Sequence, residues 1–268
     1  MNKVNKIFTY IFLIIASIIS IFPFLWMIIG ATNLSKDVIR GKLTMGGEFF
    51  NNINNLFSTV DIIGGIKMSL IVAIVGTIVT IFICSLAGYG FEIFKSKGSD
   101  RILNIIMISM MIPFAAIMIP LFKMFGKIGF LNTPIALILP TVSTAFLIYF
   151  FRQNTKSFEK EMLEAARIDG LSEFGAFLKI YIPSMKSTYA AAIIITFMSY
   201  WNAYIWPLVA IKTPEKRTLP LLISSLSSAY SPDYGVIMVA IIITTIPSAI
   251  LFFLMQKNFV EGMVGSVK

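Results

Sequence analysis

The chain has no histidine and a single cysteine, and only 13% of its residues are charged, about half the roughly 25% of a soluble domain. Without histidine, and with Cys84 isolated in an apolar run, neither a disulfide nor the usual thiolate and imidazole metal chemistry has residues to use. A nucleotide-binding Walker A loop is missing as well. The Gly-Lys pairs, Gly41-Lys42 and Gly126-Lys127, stand outside that pattern and are not followed by Ser or Thr. No clear Asp, Glu, Lys or Arg stands in the middle of an apolar run, which disfavours a proton relay or ion-coupled carrier. Sequence repeats and low-complexity tracts are also lacking.

What is present is apolar: 57% of 268 residues, in recurring runs of about twenty, the length that crosses a hydrocarbon core. A soluble fold would expose too much of this surface, so the sequence reads as an all-α polytopic membrane protein. The net charge of +9 does not indicate nucleic acid. The basic residues are scattered through short loops with no aromatic-interleaved stripe, as cationic loops beside membrane spans are. The first run, residues 7–29, exceeds the roughly 7–15 residues of a signal-peptide core and ends Ile29-Gly30-Ala31-Thr32, which indicates an uncleaved first span. Six spans are expected, at about 7–30, 66–93, 102–124, 135–151, 188–211 and 234–255, in a single transmembrane domain of residues 1–268. Gly76 and Gly88, with Ser85 and Ala87, let the second span pack closely in lipid. Pro113, Pro120, Pro140, Pro207 and Pro247 sit in or at the ends of spans, where a bundle can tolerate kinks. With the N-terminus inside, most of the 22 Lys and Arg residues fall on the inner side, including the short loop KSKGSDR. Both termini and residues 152–186 are then cytoplasmic. The external segment 31–66, with Gly46-Gly47 and several Asn, reads as a short capping structure.

Residues 152–186 carry six basic and five acidic side chains and are too well organised for a simple connection. Phe158, Met162, Ala165 and Ala166 fall at i, i+4, i+7 and i+8, one helical face, and Glu164 and Arg167 are spaced to pair. Gly170 is placed to end that helix with a left-handed residue. Ser172 caps a second helix, Glu173 complements its dipole, and Phe174, Phe177, Leu178 and Ile180 lead to Pro183, where the helix is expected to stop. Two short helices at a glycine corner suit docking to a partner. An amphipathic connector on the membrane surface explains the periodicity equally, though such a connector facing anionic lipid is expected to be more basic.

Glu164-Ala165-Ala166, three residues, Gly170, nine residues, then Ile180-Tyr181-Ile182-Pro183 resembles the cytoplasmic loop of ATP-binding-cassette importer permeases. The resemblance runs along nearly the whole chain. It takes in Pro23-Phe24-Leu25-Trp26-Met27, Ile119-Pro120-Leu121-Phe122, Gly129-Phe130-Leu131-Asn132-Thr133, Leu137-Ile138-Leu139-Pro140, Trp201-Asn202, Trp206-Pro207-Leu208, Leu219-Pro220 and the tail at 256–268. The chain is most similar to the second permease subunit of maltose-type and multiple-sugar importers. It departs from the pattern at Ile182, where Leu is commoner, and at Met68 before Ser69, where the family often has Asn.

The resemblance implies a type I importer bundle of six helices in the bacterial cytoplasmic membrane. The implied partners are a homologous second permease, two copies of a cytoplasmic ATPase and an extracytoplasmic solute-binding protein, with a sugar as substrate. This chain would bind no cofactor, ATP and Mg being held by the ATPase subunits. Glu164 would face a basic residue of the ATPase, Ala165 and Ala166 would allow close approach, Gly170 would make the corner, and Ile180 and Pro183 would close the motif. Alternating access is the implied mechanism; shifting such an equilibrium from 1:99 to 99:1 takes about 5.5 kcal/mol. A permease for a polyamine or phosphate-bearing solute is the near alternative, and a channel or scaffold the distant one.

Side chains that could meet a polar solute cluster in the fifth span: Thr196, Ser199, Tyr200, Trp201, Asn202, Tyr204 and Trp206. Tyr204 and Trp206 also suit an interfacial aromatic belt. Asn202 suits either the pore or a hydrogen bond between helices. Ser143, Thr144, Thr244, Thr245 and Ser248 read as helix contacts. The sequence leaves the sugar open between neutral, uronate-containing and phosphorylated forms.

Overall fold

A computed structural model describes residues 3–264. Gly265, Ser266, Val267 and Lys268, the end of the expected C-terminal signature, lie outside the described residues. Every regular element among the described residues is helical. Three helices are long and apolar enough to cross a membrane, within Lys3–Ala31, Ile62–Ile93 and Tyr234–Val264. At about 1.5 Å per residue, the 32 residues of Ile62–Ile93 exceed what a roughly 30 Å core requires.

The other three expected spans are broken. The third is two helices, Lys97–Ser109 and Phe114–Lys127, bent by 95°. Pro113 precedes the second of them with extended backbone and has no N–H to continue the first. Pro120, inside Phe114–Lys127, breaks nothing. The fourth is Pro134–Thr141 and Ala145–Thr155, bent by 49°, with Thr144 accepting from the Leu147 N–H as the new N-cap. Counting each bent pair as one span gives up to five. The fifth expected span, 188–211, does not enter that count. It is a 16-residue helix, Lys186–Trp201, followed after a short break by Ile205–Ala210. Pro207 lies in the first turn of the second piece, where a missing N–H costs least.

The folded chain groups into two compact units, Met1–Ile63 with Leu219–Pro247 and Gly64–Thr218 with Ser248–Lys268. In the first unit, the stretch after the first long helix is built on short helices, Ser35–Ile39 and Phe49–Thr59. Buried Asn52 donates to the carbonyls of Ala31 and Asn33 at 2.9 and 3.0 Å. Asn33 donates to Ile29 and Thr44. These amides tie the end of the first long helix to the segment that follows it.

In the second unit, small residues of Ile62–Ile93 set the packing, as the spacing of Gly76 and Gly88 predicts. A Cβ on Gly76 would lie 2.7 Å from the Tyr200 ring, and one on Gly88 2.5 Å from Phe151 Cβ and 2.8 Å from the Arg152 nitrogen. Asn132, at φ 63°, ties the 129–133 turn to the segment after Ala210. Its side-chain oxygen accepts from the N–H groups of Lys212 and Thr213 and from the Thr213 hydroxyl, and its own N–H donates to the Ala210 carbonyl at 2.8 Å. Trp206 leaves the expected aromatic belt. It is buried, its indole N–H donates to the Ala136 carbonyl at 2.7 Å, and its ring meets the edges of Phe114 and Phe125.

Candidate functional site

The cytoplasmic-type loop folds largely as its local signals dictate. A helix at Glu161–Ile168 ends at Gly170, whose φ is +81°. Ser172 accepts from the Gly175 N–H at 3.2 Å and starts Glu173–Ala176. The stripe is rotated from the expected one. Phe158, Leu163 and Ala166 are buried, whereas Met162 and Ala165 are exposed. Leu163, which the periodicity passes over, takes the inner position. Its neighbours are Tyr89, Ala176, Phe177, Tyr181 and Met185 in one apolar cluster, with Ile180 and Ile182 packed against it. Of the motif residues, Glu164, Ala165, Gly170 and Pro183 are exposed, Ala166 is buried and Ile180 is half-buried. Ala166 therefore packs within this chain's own core, and Ala165 alone of the alanine pair faces outward. Ile168, 87% exposed, and Phe174, 52% exposed, extend that outer surface.

Arg167 does not pair with Glu164. Its guanidinium grips Glu173 across the glycine corner, Nε to Oε1 at 2.6 Å and Nη2 to Oε2 at 3.2 Å. The turn at Gly170 delivers both carboxylate oxygens to the fork, the bidentate arrangement that makes such pairs strong. This contact holds the Glu173 carboxyl below its ordinary range and raises Arg167. Glu164 has no ion-pair or side-chain hydrogen-bond partner among the described residues.

Pro183 does not stop the second helix. Residues Phe177–Tyr181 widen into a π-helical turn that runs into Ile182–Ser184, and the chain bends only at Met185 before Lys186–Trp201. Pro183 lies in the first turn of that short helix, where its missing N–H is tolerated. Within the wide turn, Tyr181 is fully buried, shares a 2.6 Å hydrogen bond with Thr155 and stacks on Phe177. Burial pushes its phenol up to about 12.

Beside this segment lies a charge cluster that sequence reasoning missed. Glu92, 5% exposed, receives Arg152 at 3.5 Å and Lys160 at 3.6 Å. Arg152 also pairs with Asp100. One guanidinium thus joins the ends of Ile62–Ile93, Lys97–Ser109 and Ala145–Thr155.

Within the second unit is a cavity of about 650 Å³. Ser199, Tyr200 and Asn202 line it, as do Thr196 and Tyr204, while Trp201 does not. Trp201 is buried and stacked on Phe197 with centroids 5.6 Å apart. The Tyr200 hydroxyl is fully engaged: it shares a bond with Thr80 at 2.8 Å, accepts from Thr141 at 3.0 Å and donates to the Ile138 carbonyl at 3.3 Å. Two other lining residues, Thr196 and Thr218, carry buried hydroxyls with no partner among the described residues. Such an orphan costs about 1–3 kcal/mol and is rare enough to require a reason. None of the described lining residues is charged.

The model of the family described as "Binding-protein-dependent transport system inner membrane component" matches residues 81–265. The lactose transport system permease protein LacG of Rhizobium radiobacter is 49% identical over 267 residues, covering 100% of this chain and 98% of that one. The arabinooligosaccharides transport system permease protein AraQ of Bacillus subtilis (strain 168) is 31% identical over 272 residues, covering 99% and 97%. Among solved structures, a chain of a bacterial ABC transporter involved in the import of the acidic polysaccharide alginate superposes with a TM-score of 0.83. It covers 97% of this chain and 99% of that one at 20% identity, which speaks for the fold alone.

Proposed function

Because the chain belongs to the binding-protein-dependent transport system inner membrane component family, we propose that it forms the translocation path of an ATP-driven carbohydrate importer together with a second, homologous permease. It is a transport subunit and not an enzyme. Two copies of a cytoplasmic ATPase hold ATP and Mg, and an extracytoplasmic binding protein delivers a di- or oligosaccharide. The whole-length similarity to permeases named for lactose and arabinooligosaccharide transport supports sugar over a polyamine or phosphate-bearing solute. The six-span topology, with both termini and residues 152–186 cytoplasmic, belongs to the same reading. Ser199, Tyr200 and Asn202 border the path, and Trp201 stiffens its wall.

The observation that carries the coupling assignment is the division of the Glu161–Ile168 helix into two faces. Leu163 and Ala166 anchor it, while unpaired Glu164, Ala165 and Ile168 face outward. A channel or scaffold has no use for this outer face. Closure of the ATPase pair moves the docked segment, and the helical run from Phe177 to Trp201 passes that motion to the residues bordering the path.

Ala165→Trp tests the assignment without touching the core. Co-purification with the ATPase subunit and ATP-driven sugar uptake are expected to fall to background, with membrane insertion unchanged. Retention of the ATPase by this variant would reject docking at this face and favour the membrane-surface connector. Glu164→Ala is expected to abolish uptake as well. Gly170→Ala meets no atom within 4 Å, so its loss of coupling comes from the left-handed φ, a cost of about 1–2 kcal/mol.

A further inference from the structure

Building on the importer reading above, we propose that Glu92 is a positioning residue for coupling. Its carboxylate ties the start of the Glu161–Ile168 helix to Ile62–Ile93, which gives the docked helix a second line to the translocation path. Nothing in the stability of the fold calls for an acid here. Glu92 is 5% exposed and lies in the last turn of its helix, where burial and the negative end of the helix dipole both disfavour a carboxylate. An apolar side chain would serve packing as well or better. The carboxylate is also incompletely satisfied. Its Oε2 faces Arg152 Nε at 3.5 Å, and both atoms are buried with no hydrogen-bond partner among the described residues.

Lys160 makes the link. Its ammonium stands 3.6 Å from Glu92 Oε1, while its backbone carbonyl accepts from the N–H groups of Leu163 and Glu164 in the first turn of Glu161–Ile168. A shift of that helix therefore moves the ammonium against a carboxylate fixed on another element. Arg152 cannot follow in the same way, because it belongs to Ala145–Thr155 and its Nη2 is bonded to Asp100. From Glu92, the Ile62–Ile93 helix runs unbroken for about 18 Å to Thr80, whose hydroxyl shares a 2.8 Å bond with Tyr200. One turn further, Gly76 lies against the Tyr200 ring. Tyr200 also sits on Lys186–Trp201, so the two lines converge on one side chain at the cavity wall. Contiguous packed and hydrogen-bonded groups are the physical means by which coupling travels between distant sites.

ATP hydrolysed per sugar imported, measured in proteoliposomes holding the assembled permease–ATPase complex with its binding protein, tests the tie. Radiolabelled lactose or arabinotriose, whichever the wild type imports, is the probe. Lys160→Met removes the charge and keeps an unbranched side chain. It is expected to raise the ratio about fivefold, and Lys160→Arg to restore it. Glu92→Gln is expected to raise the ratio equally. Adding Lys160→Met to Glu92→Gln is then expected to change nothing more, since the two act through one contact. Where Glu92→Gln fails to accumulate, Glu92→Met with Arg152→Met takes its place as the background lacking the carboxylate. An unchanged ratio in Lys160→Met overturns the proposal. So do losses that multiply in the double variant, which would place Lys160 against the ATPase directly. Wild-type vesicles that import neither sugar overturn the importer reading instead.

Discussion

Gly88→Val is expected to leave almost no folded protein in the membrane, and Gly88→Ala is expected to be nearly as severe. The added Cβ would meet Phe151 Cβ at 2.5 Å, the Arg152 nitrogen at 2.8 Å and the Ile148 carbonyl oxygen at 2.9 Å. Two of these three are backbone atoms, so no side-chain rotation relieves the overlap and the Ala145–Thr155 helix must move away. Overpacking costs about 1–3 kcal/mol and occasionally more, and contacts this short against backbone put Gly88 at the upper end, a large share of the roughly 5–15 kcal/mol that typically holds a protein folded. Gly90, two residues along the same helix, is the control: nothing lies within 4 Å of its Cβ position. Gly90→Ala is expected to be neutral or stabilising by up to about 1 kcal/mol through helix propensity. Yield and melting temperature of the detergent-solubilised variants distinguish the two sites. Equal behaviour at Gly88 and Gly90 would refute the close contact.

The second large effect is expected at Arg152. Arg152→Met removes the more buried of the two cations beside Glu92, leaving a carboxylate that is 5% exposed with only half-exposed Lys160 at 3.6 Å. Breaking one side of a buried pair costs about 3–5 kcal/mol, and Asp100 loses its partner as well. The double variant Glu92→Met with Arg152→Met is expected to recover most of that loss, because removing both charges also removes the stranded one. Lys160→Met, at a more exposed position, is expected to cost at most about 1 kcal/mol. Melting temperatures of the three variants decide the matter, and a double variant as unstable as Arg152→Met would show that packing, not charge, is lost.

How much of this was legible depended on how local the cause was. The corner at Gly170, its Ser172 cap and the close contacts at Gly76 and Gly88 follow from residue type and spacing, and the structure has each of them. The orientation of the Glu161–Ile168 helix does not. Apolar residues stand on both of its faces, Leu163 and Ala166 inward, Met162 and Ile168 outward, so a stripe counted over two turns could be drawn either way. The break near Pro113 left no trace in hydropathy, because Met110, Met111, Ile112 and Phe114 stay apolar while the backbone turns. The Glu92–Arg152 pair spans sixty positions, and nothing beside either residue announces the other. Cavity lining is likewise a property of several elements together, which is why Ser199, Tyr200 and Asn202 could be proposed from one helix while Thr218 could not.

The wide turn at Phe177–Tyr181 has a consequence for chain length. A π-helical turn is the trace of one residue more than an α-helix needs over the same rise. Each residue of an α-helix advances the chain by about 100°, so a deletion here would tighten the turn and rotate everything beyond it by roughly that angle. Tyr200 would swing away from Thr80 and Thr141, and Asn202 away from the cavity. The nine residues between Gly170 and Ile180 thus act as a length standard. Side chains along it can vary, but beyond the wide turn the helical path has only the one-residue bend at Met185 in which to take up an insertion or deletion.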